Sequence, residues 1–514
     1  MEKLTNHYQL YINGEWQSGS KSQIMQSENP HNNTPWASFD CASKEDIDDA
    51  VGYAKNALAS EAWGSLNATE RGKLLFKLAD LIEKNADKIG EIETKDSGKL
   101  LAETVTQTKY VSEYYRYFAG LADKIEGSTL PIDKKDMHVY TTHHPIGVVA
   151  AIVPWNAQIF LTATKLAPAL AAGCSVIIKA SEIAPCAMFE LSKLIHEAGF
   201  PKGVVSIVTG DAENCSAPLT SHPDIDRIAF TGGTDTAKKI IQNSSNNFAA
   251  TNLELGGKSP MIIFDDADLE SAANGIIAGN FGASGQSCVA GSRVIVDKKI
   301  SKKIIDLIVQ KSKSIIVGDP ENSKTNLGPL CTKNQIQKIE QTLKKSIQQG
   351  GKIIIGGNKV SGEGNYFEPT LIHCPNSEIE TLKIEMFGPV ISIIEFENDE
   401  EAVNIANSSK YGLGSGIFTR NLAKAHRVSR QIRAGICWIN TYRAISPSAP
   451  FGGFNQSCYA REAGKQSILD YTRTKTTWIN ISDDPSAGGT VILVANDLVN
   501  SSFSICQCCY RWNR

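Results

Sequence analysis

Residues 146–156 read IGVVAAIVPWN, a continuous apolar run that ends in proline, tryptophan and asparagine. An apolar run of this length predicts a buried strand over 146–153. A helical pattern follows over 161–172 and stops at Gly173, and the next apolar strand occupies 175–179. Short apolar strands joined by helices predict a parallel sheet covered on both faces, and such sheets bind ligands at the carboxyl ends of their strands.

The alternation of strands and helices extends outward from this stretch. Upstream, 44–126 is predicted to be helical, with Asn67 and Glu70 placed as a capping box. Downstream, the first set continues with a helix over 185–198, strands over 204–208 and 227–230, and a helix over 234–242. A second set runs from 261–264 to 436–440, with strands at 294–296, 352–355, 389–396 and 416–419 and helices at 302–314 and 400–407. The chain is therefore expected to form two α/β units.

Two further stretches, 127–142 and 472–481, alternate in the manner of strands and have little core of their own. We expect them to act as arms that pair with another element or with another subunit.

Composition narrows the class of protein. The chain has 514 residues, of which 41% are hydrophobic and 21% charged, with a net charge of −3. Collagen, coiled-coil and disordered proteins are excluded by this balance. A charge so close to neutral gives no reason to expect a nucleic acid or an anionic membrane as partner.

The number of cysteines and the N-terminal sequence indicate the cellular compartment. Twelve cysteines are too few for a secreted disulfide framework, and the N-terminal sequence lacks the apolar core of a signal peptide. No apolar run reaches the length of a membrane span. We therefore expect a cytoplasmic protein in which a thiol can be chemically useful.

Cys288 is the candidate nucleophile. It lies in GASGQSCVAG (282–291), where glycines and small residues let the backbone bend and a ligand approach closely. A core cysteine is expected in a regular apolar run instead, as Cys437 is in GICWI (435–439). From the local sequence, a packing role for Cys288 remains equally open.

Glu254 and Asn156 are candidates for supporting roles. Glu254 lies between two leucines, where burial would raise its pKa towards that of a general base. Asn156 ends the first apolar strand, where its amide could donate to an oxyanion. The alternatives are an edge-strand glutamate that faces water and an asparagine that only makes a turn.

Three segments could bind a cofactor. Lys179 and Glu182, in KASE (179–182), follow a strand and could bind the hydroxyls of a ribose. FTGGT (230–234) ends a strand and opens a helix, which favours phosphate binding although the usual Gly-x-Gly-x-x-Gly pattern is absent. Glu385, in EMFGP (385–389), could bind a second sugar. A solvated loop, a common Gly-Gly turn and a simple turn are the respective alternatives.

No set of cysteine and histidine residues has the spacing of a zinc site. We therefore expect no metal.

Together, the order and spacing of these segments resemble the aldehyde dehydrogenase superfamily. The agreement covers residues 8–484 and rests on PWN (154–156), KASE (179–182), FTGG (230–233), ELGGK (254–258), GQSC (285–288), EMFGP (385–389) and PFGG (450–453). The resemblance implies an α/β fold with a Rossmann-like cofactor domain, a second α/β catalytic domain and a small β oligomerisation arm.

The resemblance also implies a division of the chain. Residues 1–126 and 143–256 would form the NAD(P)-binding domain and 257–446 the catalytic domain. Residues 127–142 and 447–484 would form the oligomerisation arm and closing segment of a homodimer or homotetramer. Residues 485–514, beyond the resemblance, form a tail without an assigned role.

For the reaction, the resemblance implies oxidation of a small-molecule aldehyde to a carboxylic acid through a thiohemiacetal and a thioester on Cys288. Asn156 would bind the oxyanion, and Glu254 would activate the hydrolytic water. The cofactor-binding residues would be Pro154, Trp155, Lys179, Ser181, Glu182, Gly232, Gly233, Thr234, Gly257, Glu385 and Phe387, with Gly257 in a strand beside the nicotinamide. NAD is preferred over NADP because Glu182 would repel a 2′-phosphate.

Several residues depart from the family pattern. Ala237, Cys458 and Ala460 replace frequent glycines, and a positive φ at 458 or 460 would add strain of roughly 1–3 kcal/mol. Arg443 could bind a carboxylate on the substrate, although a solvated loop arginine and a broad medium-sized aldehyde substrate are the simpler expectation. A catalytically inactive binding or structural protein of the same fold is the alternative function.

Overall fold

The computed structural model describes residues 3–483, whose contacts divide the chain into two units. The larger unit comprises, among the described residues, 3–125 and 144–473. The smaller comprises residues 126–143 and, among those described, 474–483.

The strands of the described residues are as follows. In chain order they are β1 (His7–Tyr8), β2 (Leu10–Ile12), β3 (Glu15–Gln17), β4 (Ile24–Asn29), β5 (Thr34–Asp40), β6 (Met137–Pro145), β7 (Val148–Ile152), β8 (Ser175–Lys179), β9 (Val205–Val208), β10 (Arg227–Thr231), β11 (Ala250–Glu254), β12 (Pro260–Ile263), β13 (Arg293–Asp297), β14 (Lys352–Ile355), β15 (Thr370–His373), β16 (Val390–Phe396), β17 (Gly414–Phe418), β18 (Ile436–Ile439) and β19 (Thr472–Asn480).

The α-helices follow the same order. They are α1 (Lys44–Ala59), α2 (Glu61–Gly64), α3 (Ala68–Lys84), α4 (Ala86–Ser97), α5 (Leu101–Leu121), α6 (Gln158–Ala172), α7 (Cys186–Ala198), α8 (Ala217–Ser221), α9 (Thr234–Ser244), α10 (Leu269–Phe281), α11 (Ser301–Lys313), α12 (Lys333–Gln348), α13 (Glu380–Lys383), α14 (Asp399–Asn407) and α15 (Leu422–Ser429).

The first large sheet has seven strands in the order β11-β10-β7-β8-β9-β2-β3. Its first five strands are parallel, whereas β2 pairs antiparallel with both β9 and β3. Strands β7, β8 and β9 proceed to one side and β10 and β11 to the other. The order therefore reverses between β7 and β10, and ligands of doubly wound sheets bind at the carboxyl edge of such a point.

The second large sheet also has seven strands, in the order β14-β15-β16-β13-β12-β17-β18. All neighbouring pairs are parallel except β14 and β15. Its central strands are buried along their whole length, as β13 and β17 illustrate. This burial is what continuous apolar strands require when helices cover both faces of a sheet.

The prediction of two α/β units is confirmed, and several boundaries agree closely. Strand β8 has the predicted bounds, and Asn67 forms the predicted capping box with Glu70 at the start of α3. Helix α6 begins three residues before its predicted start and ends at Gly173, whose φ is 96°. This left-handed geometry suits glycine because it has no Cβ.

Other elements were not predicted. The small sheet of β1, β5 and β4 lies within the first 40 residues, and α12 and β15 complete the second unit. These strands are short or only partly buried, so their apolar pattern is weak.

The two predicted arms fall in the smaller unit and pair with each other, since β19 and β6 form a two-stranded sheet. Ile481 N–H also donates to the Asp136 carbonyl at 2.9 Å. The described residues contain no helix with the length and apolar character needed to cross a bilayer.

Candidate active site

Cys288 lies in the wall of a cavity of about 1050 Å³. Asn156 and Phe160, which follow β7, line the same cavity, as does Arg443 after β18. Cys288 is partly exposed. The first and second α/β units thus contribute together to one pocket around a partly accessible thiol.

The segment before Cys288 has an unusual backbone. Ala283, Ser284 and Gly285 have φ values of 52°, 54° and 76°. Two of these are non-glycine residues in the left-handed region, a costly arrangement that clusters at functional sites. A Cβ on Gly285 would lie 2.2 Å from the Gly388 carbonyl oxygen, so only glycine fits there.

Tertiary hydrogen bonds stabilise this backbone. The Ala283 N–H donates to Glu103 Oε1 at 3.0 Å, and the Ser284 hydroxyl donates to the Gly328 carbonyl at 2.9 Å. Gln286 Oε1 accepts from the Cys331 N–H at 2.8 Å. The turn that presents Cys288 is therefore held from several sides.

Burial raises the pKa of the Cys288 thiol to about 12, and the negative charges of Glu385 and Glu254 add to the effect. The positive charge of Arg443 acts in the opposite direction. In the protein alone, Cys288 is therefore a neutral thiol at neutral pH.

Asn156 reaches the turn that carries the thiol. Its Nδ2 donates to the Gln286 carbonyl at 3.0 Å, two residues before Cys288. The following residue, Ala157, precedes helix α6, whose N-terminus has no side-chain cap. Asn156 and Ala157 line the same cavity as Cys288, so an amide donor and the N-terminus of α6 lie beside the thiol, an arrangement that suits a developing negative charge.

Glu254 ends β11 and is only 3% exposed. Its Oε1 lies 2.8 Å from the Cys458 Sγ, and within residues 3–483 its Oε2 has no hydrogen-bond partner. Burial raises its pKa well above the usual value, and the charge of Glu462 adds to this shift. The alternative that Glu254 is an edge-strand glutamate facing water is therefore wrong, because residues 457–459 cover the outer edge of β11.

A buried ion pair near Glu254 was not predicted. Lys165, on α6, pairs with Glu462 and donates to Thr231 Oγ1 at 2.6 Å. Thr164 Oγ1 donates to the other Glu462 oxygen at 2.8 Å. The signal in the sequence was a lysine inside an otherwise apolar helix, since a buried charge needs a partner.

The predicted ribose-binding residues meet at the carboxyl end of β8. Lys179 Nζ and Glu182 Oε2 form an ion pair at 2.6 Å. Lys179 is 6% exposed whereas Glu182 is 35% exposed. Ser181 is buried beside them, and its hydroxyl accepts from the Ile183 N–H at 3.4 Å. A fixed donor and a partly accessible acceptor fit a sugar with two hydroxyls.

The predicted phosphate-binding segment lies at the start of α9. Gly232 and Gly233 connect β10 to this helix, and no side chain caps its N-terminus. A Cβ on Gly232 would lie 2.4 Å from the ring of Phe230. The first N–H groups of α9 border a cleft of about 250 Å³ that also reaches Glu385, so Thr234 and Glu385 share one pocket.

Glu385 and Gly257 are in direct contact. The Gly257 N–H donates to Glu385 Oε1 at 2.9 Å, and a Cβ on Gly256 would lie 2.3 Å from Oε2. Burial raises the pKa of Glu385. The expectation that Gly257 lies in a strand is wrong, because it lies between β11 and β12.

Pro154, Trp155 and Phe387 lie near the switch point. The rings of Trp155 and Phe387 pack edge to face, with centroids 5.5 Å apart. Phe387 has a φ of 51°, a further left-handed residue beside the site. Pro154 follows β7 and is half-buried.

The departures from the family pattern add no backbone strain. Cys458 has an extended φ of −163°, and Ala460 is absent from the left-handed residues of the described chain. Ala237 lies inside α9, where alanine is favourable. Cys437 is exposed, so the expectation of a core cysteine there is wrong.

Comparisons with known proteins agree on one family. A family model described as "Aldehyde dehydrogenase family" matches residues 16–477. An Acinetobacter baylyi protein named (Z)-2-((N-methylformamido)methylene)-5-hydroxybutyrolactone dehydrogenase is 50% identical over 479 residues, covering 93% of this chain and 98% of the relative. Aldehyde dehydrogenase family 2 member C4 of Arabidopsis thaliana is 37% identical, covering 93% and 95%.

Solved structures give the same result. The NAD+ complex of an aldehyde dehydrogenase from Bacillus cereus superposes with a TM-score of 0.91 at 38% identity, covering 93% of this chain and 98% of that one. The resemblance seen in the sequence and the fold class are therefore confirmed.

Proposed function

The chain belongs to the aldehyde dehydrogenase family, and we propose that Cys288, Glu254 and Asn156 are its catalytic residues. The reaction is the oxidation of an aldehyde to a carboxylic acid with hydride transfer to NAD(P). The family and the named dehydrogenase relatives favour this activity over an inactive binding protein. The observation that carries the assignment of residues is the cavity that Cys288 and Asn156 share.

The first half of the reaction takes place at Cys288. Its thiol releases its proton to solvent water, and the sulfur attacks the aldehyde carbon to form a thiohemiacetal whose oxygen is negatively charged. The Asn156 amide and the Cys288 backbone N–H stabilise the negative oxygen. Bound NAD(P) would supply the acceptor for the hydride of this carbon, and Cys288 would then carry the acyl group as a thioester.

The second half requires a base. Water adds to the thioester carbon while Glu254 accepts its proton, and the acid leaves as the Cys288 thiol re-forms. Burial supports this role because it raises the pKa of Glu254 towards the range in which a carboxylate accepts protons efficiently.

NAD is the preferred cofactor. Lys179, Ser181 and Glu182 would bind one ribose, the N-terminus of α9 from Gly232 to Thr234 the pyrophosphate, and Glu385 the second ribose. The partly exposed Glu182 carboxylate disfavours a 2′-phosphate by charge repulsion. Gly257 and the Trp155–Phe387 pair would border the nicotinamide.

The substrate class is an aldehyde that carries a carboxylate. The Acinetobacter baylyi relative is named for a 5-hydroxybutyrolactone. A ring of this type is a cyclic hemiacetal, and opening it yields an aldehyde and a carboxylate on one four-carbon chain. Arg443 is the matching cation, because it lines the cavity and its charge acts on Cys288.

The charges around Arg443 support this match. Among residues 3–483, the hydrogen bond of Arg443 is the one its Nη1 donates to the Ala278 carbonyl at 3.3 Å, and no carboxylate there forms an ion pair with it. The other two cations of the cavity, Lys99 and Lys311, pair with Glu93 and Glu270. Glu103 also lines the cavity but is engaged by the Ala283 N–H.

The remaining assignments concern the domains and the assembly. We assign residues 1–126 and 143–256 to cofactor binding and 257–446 to catalysis. Residues 127–142 and 447–484 are assigned to the oligomerisation arm and closing segment of a homodimer or homotetramer. The protein would act in the cytoplasm.

The proposal is tested with a panel of aldehydes in the presence of NAD or NADP. We expect the wild-type protein to form NADH, and Cys288→Ser to lose at least about 10³-fold in kcat, since the hydroxyl is a far weaker nucleophile. Cys437→Ser, at an exposed cysteine, is the matched control and should retain activity. Turnover that survives Cys288→Ser, or that requires coenzyme A, would overturn the proposal.

A further inference from the structure

The side chain of Cys458 lies directly against the proposed base. Its Sγ is 2.8 Å from Glu254 Oε1 and 2.6 Å from the Ala460 carbonyl oxygen. The two backbones are also paired, because Glu254 and Cys458 form an antiparallel bridge. Glycine, the residue that the resemblance leads one to expect at this position, has no side chain and cannot make this contact.

We propose that Cys458 is a positioning residue that holds Glu254 in a resting orientation and stabilises its ionised form by donating the thiol hydrogen to Oε1. The proposal rests on the assignment of Glu254 as the base that hydrolyses the thioester.

The thiol can accommodate both charge states of the base. A thiol has one hydrogen and can also accept weakly. When Glu254 is neutral, its own hydroxyl donates to the sulfur and the thiol hydrogen points to the Ala460 carbonyl. When Glu254 is ionised, the thiol hydrogen turns to Oε1. Among the described residues Glu254 Oε2 has no hydrogen-bond partner. The hydrogen bond with the Cys458 thiol is therefore the one that changes direction when Glu254 ionises.

The orientation held by Cys458 is a resting one. Glu254 is absent from the walls of the cavity that Cys288 and Asn156 line. Among the described residues, Glu254 makes no hydrogen bond to Cys288, although its charge raises the pKa of that thiol. The two groups are therefore near each other, and a rotation of the Glu254 side chain brings its carboxylate to the acyl group on Cys288.

Several charged groups near Glu254 also affect its ionisation, and the effect of Cys458 has to be distinguished from theirs. Glu462 disfavours the ionised form of Glu254, whereas Lys165 and Arg461 favour it. Lys165 is already engaged with Glu462, and the Arg461 Nη1 donates to the Gly453 and Ala460 carbonyls at 2.9 and 2.7 Å. Cys458 is thus an uncharged donor, and its removal leaves the formal charge of this cluster unchanged.

The test compares Cys458→Ala, which removes the donor, with Cys458→Ser, which keeps one. The rate of acid release after a single turnover is measured by quenched flow from pH 5 to 10, together with the rate of hydride transfer, kcat and KM. In Cys458→Ala, the low-pH limb of the profile of acid-release rate against pH should move about one pH unit upward, because the Glu254 carboxylate loses a hydrogen-bond donor. Cys458→Ser should retain the wild-type limb.

The controls separate this role from a structural one. Hydride transfer and KM should change less than twofold in both variants, because Cys458 touches the base and not the nucleophile. Cys437→Ala, at the exposed cysteine, should leave every profile unchanged. If Cys458→Ala does not fold, Cys458→Gly removes the same donor and suits the extended backbone at this position.

The outcomes are distinguishable. An upward shift in the alanine or glycine variant, restored by serine, supports the proposal. The proposal is overturned if the low-pH limbs coincide in all variants, or if Cys458→Ala and Cys458→Ser shift equally. Either result leaves the assignment of Glu254 as the base intact. If Glu254→Gln hydrolyses the acyl-enzyme at the wild-type rate, the proposed function fails instead.

Discussion

At Cys288, the surrounding groups act against ionisation of the proposed nucleophile. Burial and the nearby carboxylates of Glu385 and Glu254 raise its pKa to about 12, and Arg443 alone among the principal contributors of charge lowers it. A thiol in this setting is protected from adventitious oxidation and alkylation, since the thiolate is the reactive form. The attack on the aldehyde therefore requires a base or a charge that arrives with the ligands.

The first prediction concerns the alkylation of Cys288 by iodoacetamide in the protein without ligands. Because the pKa is raised, the thiolate fraction should increase about tenfold per pH unit throughout pH 7–10. Peptide-resolved mass spectrometry measures the rate at Cys288, with glutathione as a reference thiol. A plateau below pH 9 would contradict the prediction.

The second prediction concerns Arg443. If its guanidinium binds the carboxylate of the substrate, Arg443→Gln should lower kcat/KM for 4-oxobutanoate by about 10–100-fold, the range expected for a hydrogen bond to a charged group. The uncharged analogue butanal should change less than threefold. Arg420→Gln, at an exposed arginine outside the cavity, is the control. Equal losses for both aldehydes would count against a carboxylate-binding role.

At the scale of elements, the site is built from strand ends. The pairings Phe230 with Ile152, Ile152 with Lys179, and Thr231 with Glu254 place four strand termini side by side. Trp155, Lys179, Glu182 and Gly232 lie at or just beyond the ends of β7, β8 and β10, so their order along the chain sufficed to bring them together, whereas Glu385 and Phe387 come from the segment before β16.

The third prediction concerns the end of β8. Glu182→Gln keeps the size of the side chain but removes the charge that disfavours a 2′-phosphate. The ratio of kcat/KM for NAD to that for NADP should fall about tenfold, since a charge-assisted hydrogen bond to the ribose is weakened. Steady-state kinetics with both cofactors provide the measurement. An unchanged ratio would show that Glu182 does not set the preference.

The fourth prediction concerns the left-handed turn before Cys288. Ala283→Gly should raise the free energy of unfolding by about 0.5–1 kcal/mol, because glycine adopts a φ of 52° without strain. Ala59→Gly, at an exposed helical position, should instead lower it by up to about 1 kcal/mol. Urea titration measures both. A loss of stability in Ala283→Gly would mean that packing of the methyl group outweighs the backbone strain.

The sequence predicted the elements with strong local signals and not those that depend on distant contacts. Strand β8 and the cap at Asn67 were predicted because apolar runs and capping boxes are local patterns. The covering of Glu254 by Cys458, 204 residues away, has no local signature. The same is true of the Lys165–Glu462 pair, which only the fold brings together.

At the scale of the whole molecule, the smaller unit presents exposed apolar side chains at the end of β19 and just beyond it. Trp478, Ile479 and Ile481 are 56%, 43% and 59% exposed. A group of exposed apolar side chains is typical of a surface that contacts another chain. This fits the assignment of β6 and β19 to an oligomerisation arm.

The fifth prediction concerns assembly. The full-length protein should be a dimer or tetramer by native mass spectrometry. A chain shortened to residue 473 should be monomeric. A chain shortened to residue 484 is the matched control and should keep the full-length assembly. Oligomers that survive removal of 474–514 would contradict the role given to the arm.

The measurement that tests the central assignment most directly is a rapid-mixing experiment on Glu254→Gln with aldehyde and NAD. If Cys288 forms the thioester and Glu254 hydrolyses it, the variant should release about one equivalent of NADH per active site in a burst and then nearly stop. Intact-protein mass spectrometry should find the acyl group on Cys288. Continuous turnover at the wild-type rate, or a burst without an adduct on Cys288, would contradict the account.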